Sequence, residues 1–290
     1  MARVSFVVVK RVGIAVAWVV LFTLVGGGLT FGISELVPGW GGQTWAVARI
    51  GVFEVIGFGL ATLIVGRLLN KYSWDRMGWR RSVWPQLGRG ALLGVAMAAL
   101  AIGLAVVLDG ARVRVTGDWN VWPRVALPLI VGLIFAALGE ELGFRGYPLR
   151  RLGDGMGVLP GMLLLAILFG LGHAKNPNAT VFSTVNVALA AIWLSIAFFS
   201  AGGMWLAWGA HFGWNAGLSI LFDAPVSGYS FQVPVVEYTP GPHAWVDGGV
   251  FGPEGGVVAT IALVAGTFYL LTRKRAFTPV DEPAPAVVAA

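Results

Sequence analysis

The residues best suited to chemistry in this sequence are acids and imidazoles embedded in apolar runs: Glu54, Glu140, Glu141, His173 and His211. A carboxylate next to an imidazole can take a proton from water and return it to a leaving group, as hydrolysis requires. Glu140 and Glu141 open the run Glu140-Glu141-Leu142-Gly143-Phe144-Arg145. On a helix, Glu141 and Arg145 are four apart, share a face and can pair. Pairing offsets part of the cost of holding both charges in a low-dielectric setting. Glu140 is turned about 100° from Glu141, which leaves it available for chemistry. The plainer reading makes both acids members of a structural ion-pair network. Phe169 and His173 share a helix face, so the ring can orient the imidazole and exclude water. His211 and Asn215 share another, and their N–H donors suit a developing oxyanion. Interhelical hydrogen bonding is the plainer use of such a pair. Glu54 belongs to no motif and is read as structural first, pairing with an Arg or lining a cavity. His243 is read as a solvated loop residue.

These residues must be positioned by helices in a bilayer. Of 290 residues, 57% are hydrophobic and only 12% are charged, against about 25% charged in a soluble domain. That excludes an ordinary soluble enzyme, a disordered chain and a nucleic-acid-binding module. With no Cys, thiol nucleophiles, disulfides and thiolate metal sites are excluded too. A span needs roughly 20 mostly apolar residues. Val12–Ser34, Trp45–Leu69, Gly90–Leu108, Trp122–Arg151, Gly155–Gly172 and Gly255–Thr272 qualify. The uncharged run Asn176–Phe222 is too long for one span and divides at Ser200-Ala201-Gly202-Gly203. The expected fold is all-α and polytopic, with about eight transmembrane helices and both termini cytoplasmic. Fifteen of the 20 Lys and Arg then face the cytoplasm and five face outward, as the positive-inside rule requires. The net charge of +6 reports this orientation and no nucleic-acid partner. Residues 153–157 are turn-rich. Antiparallel helices meeting there place Glu140 and His173 at one depth, about 25 Å from the turn. The segment 223–254 is the longest outside loop, with four acids and no Lys or Arg. Residues 281–290 read as a disordered tail.

Together and in this order, Glu140-Glu141 with Arg145, Phe169 with His173, and His211 with Asn215 resemble the CPBP family, whose pattern is EExxxR, FxxxH and HxxxN. That family comprises the type II CAAX prenyl proteases and bacteriocin-processing proteins and is also called the ABI family. The resemblance covers about residues 123–222. It implies an intramembrane endopeptidase acting on a membrane-associated peptide or protein, prenylated CAAX-ending proteins being the substrates of eukaryotic members. It implies that Glu140 and His173 activate a water, that His211 and Asn215 stabilise the oxyanion, and that Glu141 and Arg145 hold their helix in shape. The family is often called a metalloprotease family, and Glu140, His173 and His211 are candidate zinc ligands. HExxH is absent, and a metal-independent glutamate mechanism is preferred, with zinc as the alternative. The expected organisation is a three-helix region over 1–121, a four-helix catalytic core over 122–222, and an outside loop, last helix and tail over 223–290. The expected location is the plasma membrane of a prokaryote, with the lipid bilayer and a peptide or membrane-protein substrate as partners and the oligomeric state open. The competing functions are a proton-coupled transporter, with Glu140, Glu141 and His173 as a relay, and a non-catalytic scaffold for bacteriocin resistance or export.

Overall fold

The computed structural model describes residues 2–39, 45–79, 83–117 and 119–273. The expected tail and the basic residues Arg80, Arg81, Lys274 and Arg275 lie outside this range. The described chain is mostly helical: α1 (Ala2–Leu36), α2 (Ala46–Ala61, continued by a π-helical Thr62–Leu69) and α3 (Val83–Asp109). Next come β1 (Arg112–Val115), α4 (Trp122–Phe144), α5 (Gly146–Met156), α6 (Val158–His173) and α7 (Val181–Phe199). Last are α8 (Gly203–Ala216, with a π-helical Gly217–Leu221), β2 (Val236–Thr239), α9 (Ala244–Asp247) and α10 (Val257–Thr272). Apolar runs adopt this form because a helix satisfies its own backbone groups without water. Among the described residues, five helical stretches are long and apolar enough to cross a membrane: α1, α2 with its extension, α3, α4–α5 and α7. The apolar α6 and α10 are shorter, at 16 residues each.

Close approach of helices depends on glycine. Gly90 and Gly94 on α3 face Gly209 and Gly213 on α8. A Cβ at Gly94 would lie 2.2 Å from the Ala210 carbonyl oxygen, and one at Gly213 would lie 2.2 Å from that of Ala91. Each helix thus presents a small-xxx-small pair to the other's backbone, the close-packing device of membrane helices. A second seam joins α2 to α4, where a Cβ at Gly51 would lie 2.4 Å from the Ala136 nitrogen. Trp208 Nε1 donates to the Ile134 carbonyl at 2.9 Å and ties α8 to α4. At the start of α7 a reciprocal Thr180–Ser183 capping box sets the first turn.

Three features of the structure change or add to the expected elements. The helix expected over 122–151 is two helices, broken at Arg145 (φ −105°, ψ −69°). Pro148 has no N–H to give the Phe144 carbonyl, and its ring opposes a straight continuation. After the break α5 packs on α1 and α6, and Arg11 Nε donates to the Gly155 carbonyl at 3.1 Å. Consequently α4 and α6 are not a packed hairpin; their side chains face each other across a cavity. Second, the fold is not purely α-helical: β1 and β2 pair antiparallel, from Arg112 opposite Thr239 to Val115 opposite Val236. Third, the 223–254 segment is ordered by its acids. Asp247 is fully buried and accepts from the backbone of Gly241 and Gly249 and from the Tyr238 hydroxyl. Asp223 accepts from the Val233 N–H at 2.7 Å. His243 is exposed yet bound, its Nδ1 lying 2.6 Å from Asp109. Gly- and Pro-rich backbone has few ladder partners, so carboxylates take up its N–H groups.

Candidate active site

A cavity of about 320 Å³ gathers Glu140, His173, His211, Asn215 and Phe169 on one surface. Glu141 and Arg145 lie behind that surface, fully buried. The seven residues that carry the family resemblance therefore meet at one place, four as polar walls, one as an aromatic wall and two as backing.

The backing comes first, because it positions the rest. Arg145, at the α4–α5 break, has NH1 3.1 Å from Glu141 Oε1. Its other amino group reaches the Ala191 carbonyl of α7 at 3.5 Å. The guanidinium carbon lies 4.6 Å from the centroid of the Phe169 ring, a cation–π contact. Phe144 meets the same ring edge-on at 5.0 Å. One buried cation thus joins α4, α6 and α7. Glu141 Oε1 also lies 2.9 Å from His211 Nδ1. A carboxylate accepts, so the Nδ1 hydrogen of His211 points at Glu141 and Nε2 faces the cavity.

On the cavity side, Glu140 Oε2 is 3.7 Å from His211 Nε2. That is beyond hydrogen-bond reach, and this buried oxygen has no hydrogen-bond partner among the described residues. His173 Nδ1 lies 2.8 Å from the Phe169 carbonyl. A carbonyl can only accept, so Nδ1 carries the hydrogen and Nε2 keeps a lone pair. The Phe169 ring lies 4.7 Å from His173 and 6.3 Å from His211, centroid to centroid, and walls the imidazoles off from the core. The Asn215 amide makes no hydrogen bond among the described residues and lines the cavity. A water held here would meet two acceptors, Glu140 and His173, and an amide donor.

Residues 121–217 match one family model, described as type II CAAX prenyl endopeptidase Rce1-like. The matched stretch is similar to Rce1-like endopeptidases. It runs from the start of α4 to the end of α8 and contains all seven residues above. No curated protein matches the chain. With the apolar helices, the Rce1-like stretch marks an integral membrane protein.

Two acids on the cavity wall come from outside the matched stretch. Glu54, read as structural, lines the cavity with Glu140, without an Arg partner among the described residues. It fits because α4 has no side chain at Gly139, where a Cβ would lie 2.6 Å from the Glu54 Cβ. Its signal was the same isolation among apolar residues that marked Glu140. Glu254 had no local signal. It folds back from the 223–256 segment, accepting from Trp214 Nε1 at 2.9 Å, from the Ser227 hydroxyl at 3.1 Å and from the Ser227 N–H. Asn186 of α7 holds the adjoining carbonyls of Glu254 and Gly256, each at 2.9 Å.

Among the described residues, no three His, Asp or Glu side chains converge as a metal-binding group. His211 gives Nδ1 to Glu141 and holds Nε2 toward Glu140. Glu140, His173 and His211, the candidate zinc ligands, all line the cavity, and His211 keeps only Nε2 for a further partner.

Proposed function

We propose that the protein is an intramembrane endopeptidase in which Glu140 is the general base. The supporting observation is a buried carboxylate oxygen of Glu140 with no hydrogen-bond partner among the described residues, facing a cavity shared with His173 and Asn215. The matched family model, named for prenyl endopeptidases, points to the same class of reaction. A water sits between Glu140 and the Nε2 lone pair of His173. Glu140 takes one of its protons while the water oxygen adds to the scissile carbonyl carbon. The oxyanion accepts from the Asn215 amide. It accepts from His211 Nε2 when that ring carries a second proton, since Nδ1 is committed to Glu141. Collapse breaks the C–N bond, and the proton on Glu140 passes to the leaving amine. Glu141 and Arg145 hold α4 and His211 in place, and Phe169 fixes the tilt of His173.

With zinc held by Glu140, His173 and His211 as the alternative, the reaction is metal-independent in this reading. Stoichiometric zinc in the purified protein, with activity lost on chelation and restored on return, overturns it. The substrate is a membrane-associated peptide segment. The topology is eight spans with both ends cytoplasmic in a prokaryotic plasma membrane. Residues 122–222 form the catalytic core between a three-helix region and a closing segment with the last helix. The deciding experiment is membrane proteomics of cells expressing wild type or Glu140→Ala. One or more cleaved products vanish in the variant while the variant folds and accumulates. If every cleavage survives both Glu140→Ala and His211→Ala, the peptidase reading fails.

A further inference from the structure

The molecule has two chemically different poles. One collects α5 with Arg150 and Arg151, Arg67 at the end of the α2 extension, and Lys71 and Arg76 in the turn that follows. Contacts across this pole join its parts: Arg76 pairs with Asp154 at 2.6 Å, and Arg11 of α1 reaches Gly155. The other pole holds the α3–α4 connection, the α6–α7 connection and the 223–256 segment. They are joined by the β1–β2 pair, by His243 on Asp109, and by Asn176 Nδ2 donating to the Ser227 carbonyl at 3.0 Å.

The cavity is not symmetric between these poles. Toward the basic pole it is closed by Phe144, Phe169 and the buried Arg145–Glu141 pair. Toward the other pole its wall is Asn176, Ser227, Tyr229 and Phe231. Tyr229 there is 50% exposed, and His173 is the last residue of α6. The floor therefore lies toward the basic pole and the mouth toward the 223–256 segment. Lys and Arg concentrate on the cytoplasmic flank of membrane helices, where anionic lipids also attract them.

We infer that the cavity opens on the extracytoplasmic face and that its substrate is a peptide segment exposed there, in an exported or membrane-anchored protein. The substrate half rests on the peptidase reading above; the sidedness does not. A lipidated tail on the cytoplasmic leaflet would meet the closed, basic end. Glu54, Glu140 and Glu254 line the cavity with no Lys or Arg in the wall, so residues flanking the cut are neutral or basic, and acidic ones are disfavoured.

Because the chain has no Cys, single-cysteine variants report sidedness without background. Three exposed positions outside the site serve: Thr116→Cys and Ser230→Cys at the mouth pole, and Asp75→Cys at the basic pole. In intact cells expressing the full chain, a membrane-impermeant maleimide labels the first two, and Asp75→Cys labels only after permeabilisation. The reverse pattern overturns the inference even if the protein is a peptidase. The second arm maps the cuts lost in Glu140→Ala cells. Cuts in extracytoplasmic segments support the substrate class, and cuts in cytoplasmic tails overturn it. Loss of no cut at all removes the peptidase reading and the substrate class with it, while the labelling pattern still decides which face the mouth occupies.

Discussion

Two buried ionic clusters lie at different depths in this molecule, and they are built on opposite principles. Near the basic pole, both oxygens of Asp154 are occupied, one by Arg76 at 2.6 Å and the other by the Tyr72 hydroxyl. Tyr72 itself is buried, and this burial beside Asp154 pushes its hydroxyl pKa up to about 12. None of these three residues lines the cavity that holds Glu140. Around Glu141 the cluster is closed on one side only. Arg145 and His211 share Glu141 Oε1, while Glu140 Oε2 faces the cavity without a hydrogen bond among the described residues. Asp154 has both oxygens bonded, as suits a structural group, since an unsatisfied buried polar atom costs about 1–3 kcal/mol. By contrast, Glu140 Oε2 and the fully buried Glu141 Oε2 each lack a partner among the described residues. A group kept for reaction holds one position open for substrate or water. The same residue types serve both ends of the protein, and the difference lies in which carboxylate faces a cavity: Glu140 lines one and Glu141 lies behind it.

The largest expected effect tests this contrast directly. Glu140→Gln lowers cleavage by about 10²–10⁴-fold and leaves the thermal midpoint in detergent close to wild type. Asp154→Asn does the reverse: it lowers the midpoint and leaves turnover per folded molecule near wild type. If Asp154→Asn abolishes turnover without loss of stability, the distinction between the clusters collapses.

Removing the shared cation comes next. Arg145→Ala leaves Glu141 buried without its guanidinium, which costs about 3–5 kcal/mol. Its abundance in membranes, by quantitative blotting, falls well below that of Glu140→Ala. Equal abundance would show that the Arg145–Glu141 pair is dispensable for the fold.

The glycine seam ranks third. Gly213→Val forces α8 away from Ala91 of α3, at about 1–3 kcal/mol for overpacking. It also shifts His211 and Asn215 on the same helix. Turnover therefore falls by a larger factor than the folded fraction does. A proportional fall in both would mean that the seam serves stability alone.

The smallest effect is expected in the outer segment. Burial pushes the Asp223 carboxyl up to about 6, partly countered by its bond from the Val233 N–H. A folded-state pKa above the unfolded one means that this group favours the folded segment most below pH ~4. That contribution fades as the pH rises through about 6. Limited proteolysis within 223–254 is accordingly slower at pH 5 than at pH 7, and Asp223→Asn removes the difference. An unchanged pH dependence in that variant would place its cause elsewhere.

Some of this was legible residue by residue. Glu140 and Glu141 differ by one position, which on a helix is enough to separate the buried pair from the cavity wall. The spacings 169/173 and 211/215 placed each pair on one face. The division of the long uncharged run at 200–203 falls where α7 ends and α8 begins. Gly90, Gly94, Gly209 and Gly213 were also readable as two small-xxx-small pairs, yet spacing alone does not say which helix packs on which. The break at Arg145 was signalled by Pro148 and hidden by the hydropathy of the run around it. Glu254 had no sequence signature, because its carboxylate bonds Trp214 and Ser227, 40 and 27 residues away along the chain. The short-range bonds of Asp223 and Asp247 in 223–254 follow no regular spacing.

Local sequence determined what each helix could offer: an apolar surface for lipid, a few ionisable groups, and the face on which each projects. These follow from helical period and from the cost of charge in an apolar medium, both local properties. Tertiary structure alone decided that Glu54 and Glu254 join the cavity, that α4 and α6 face each other across a gap, and that the floor is sealed at one pole and the mouth lies at the other. Those outcomes depend on which backbones can approach, and approach is set by pairs of glycines and by buried carboxylates whose partners lie on other elements.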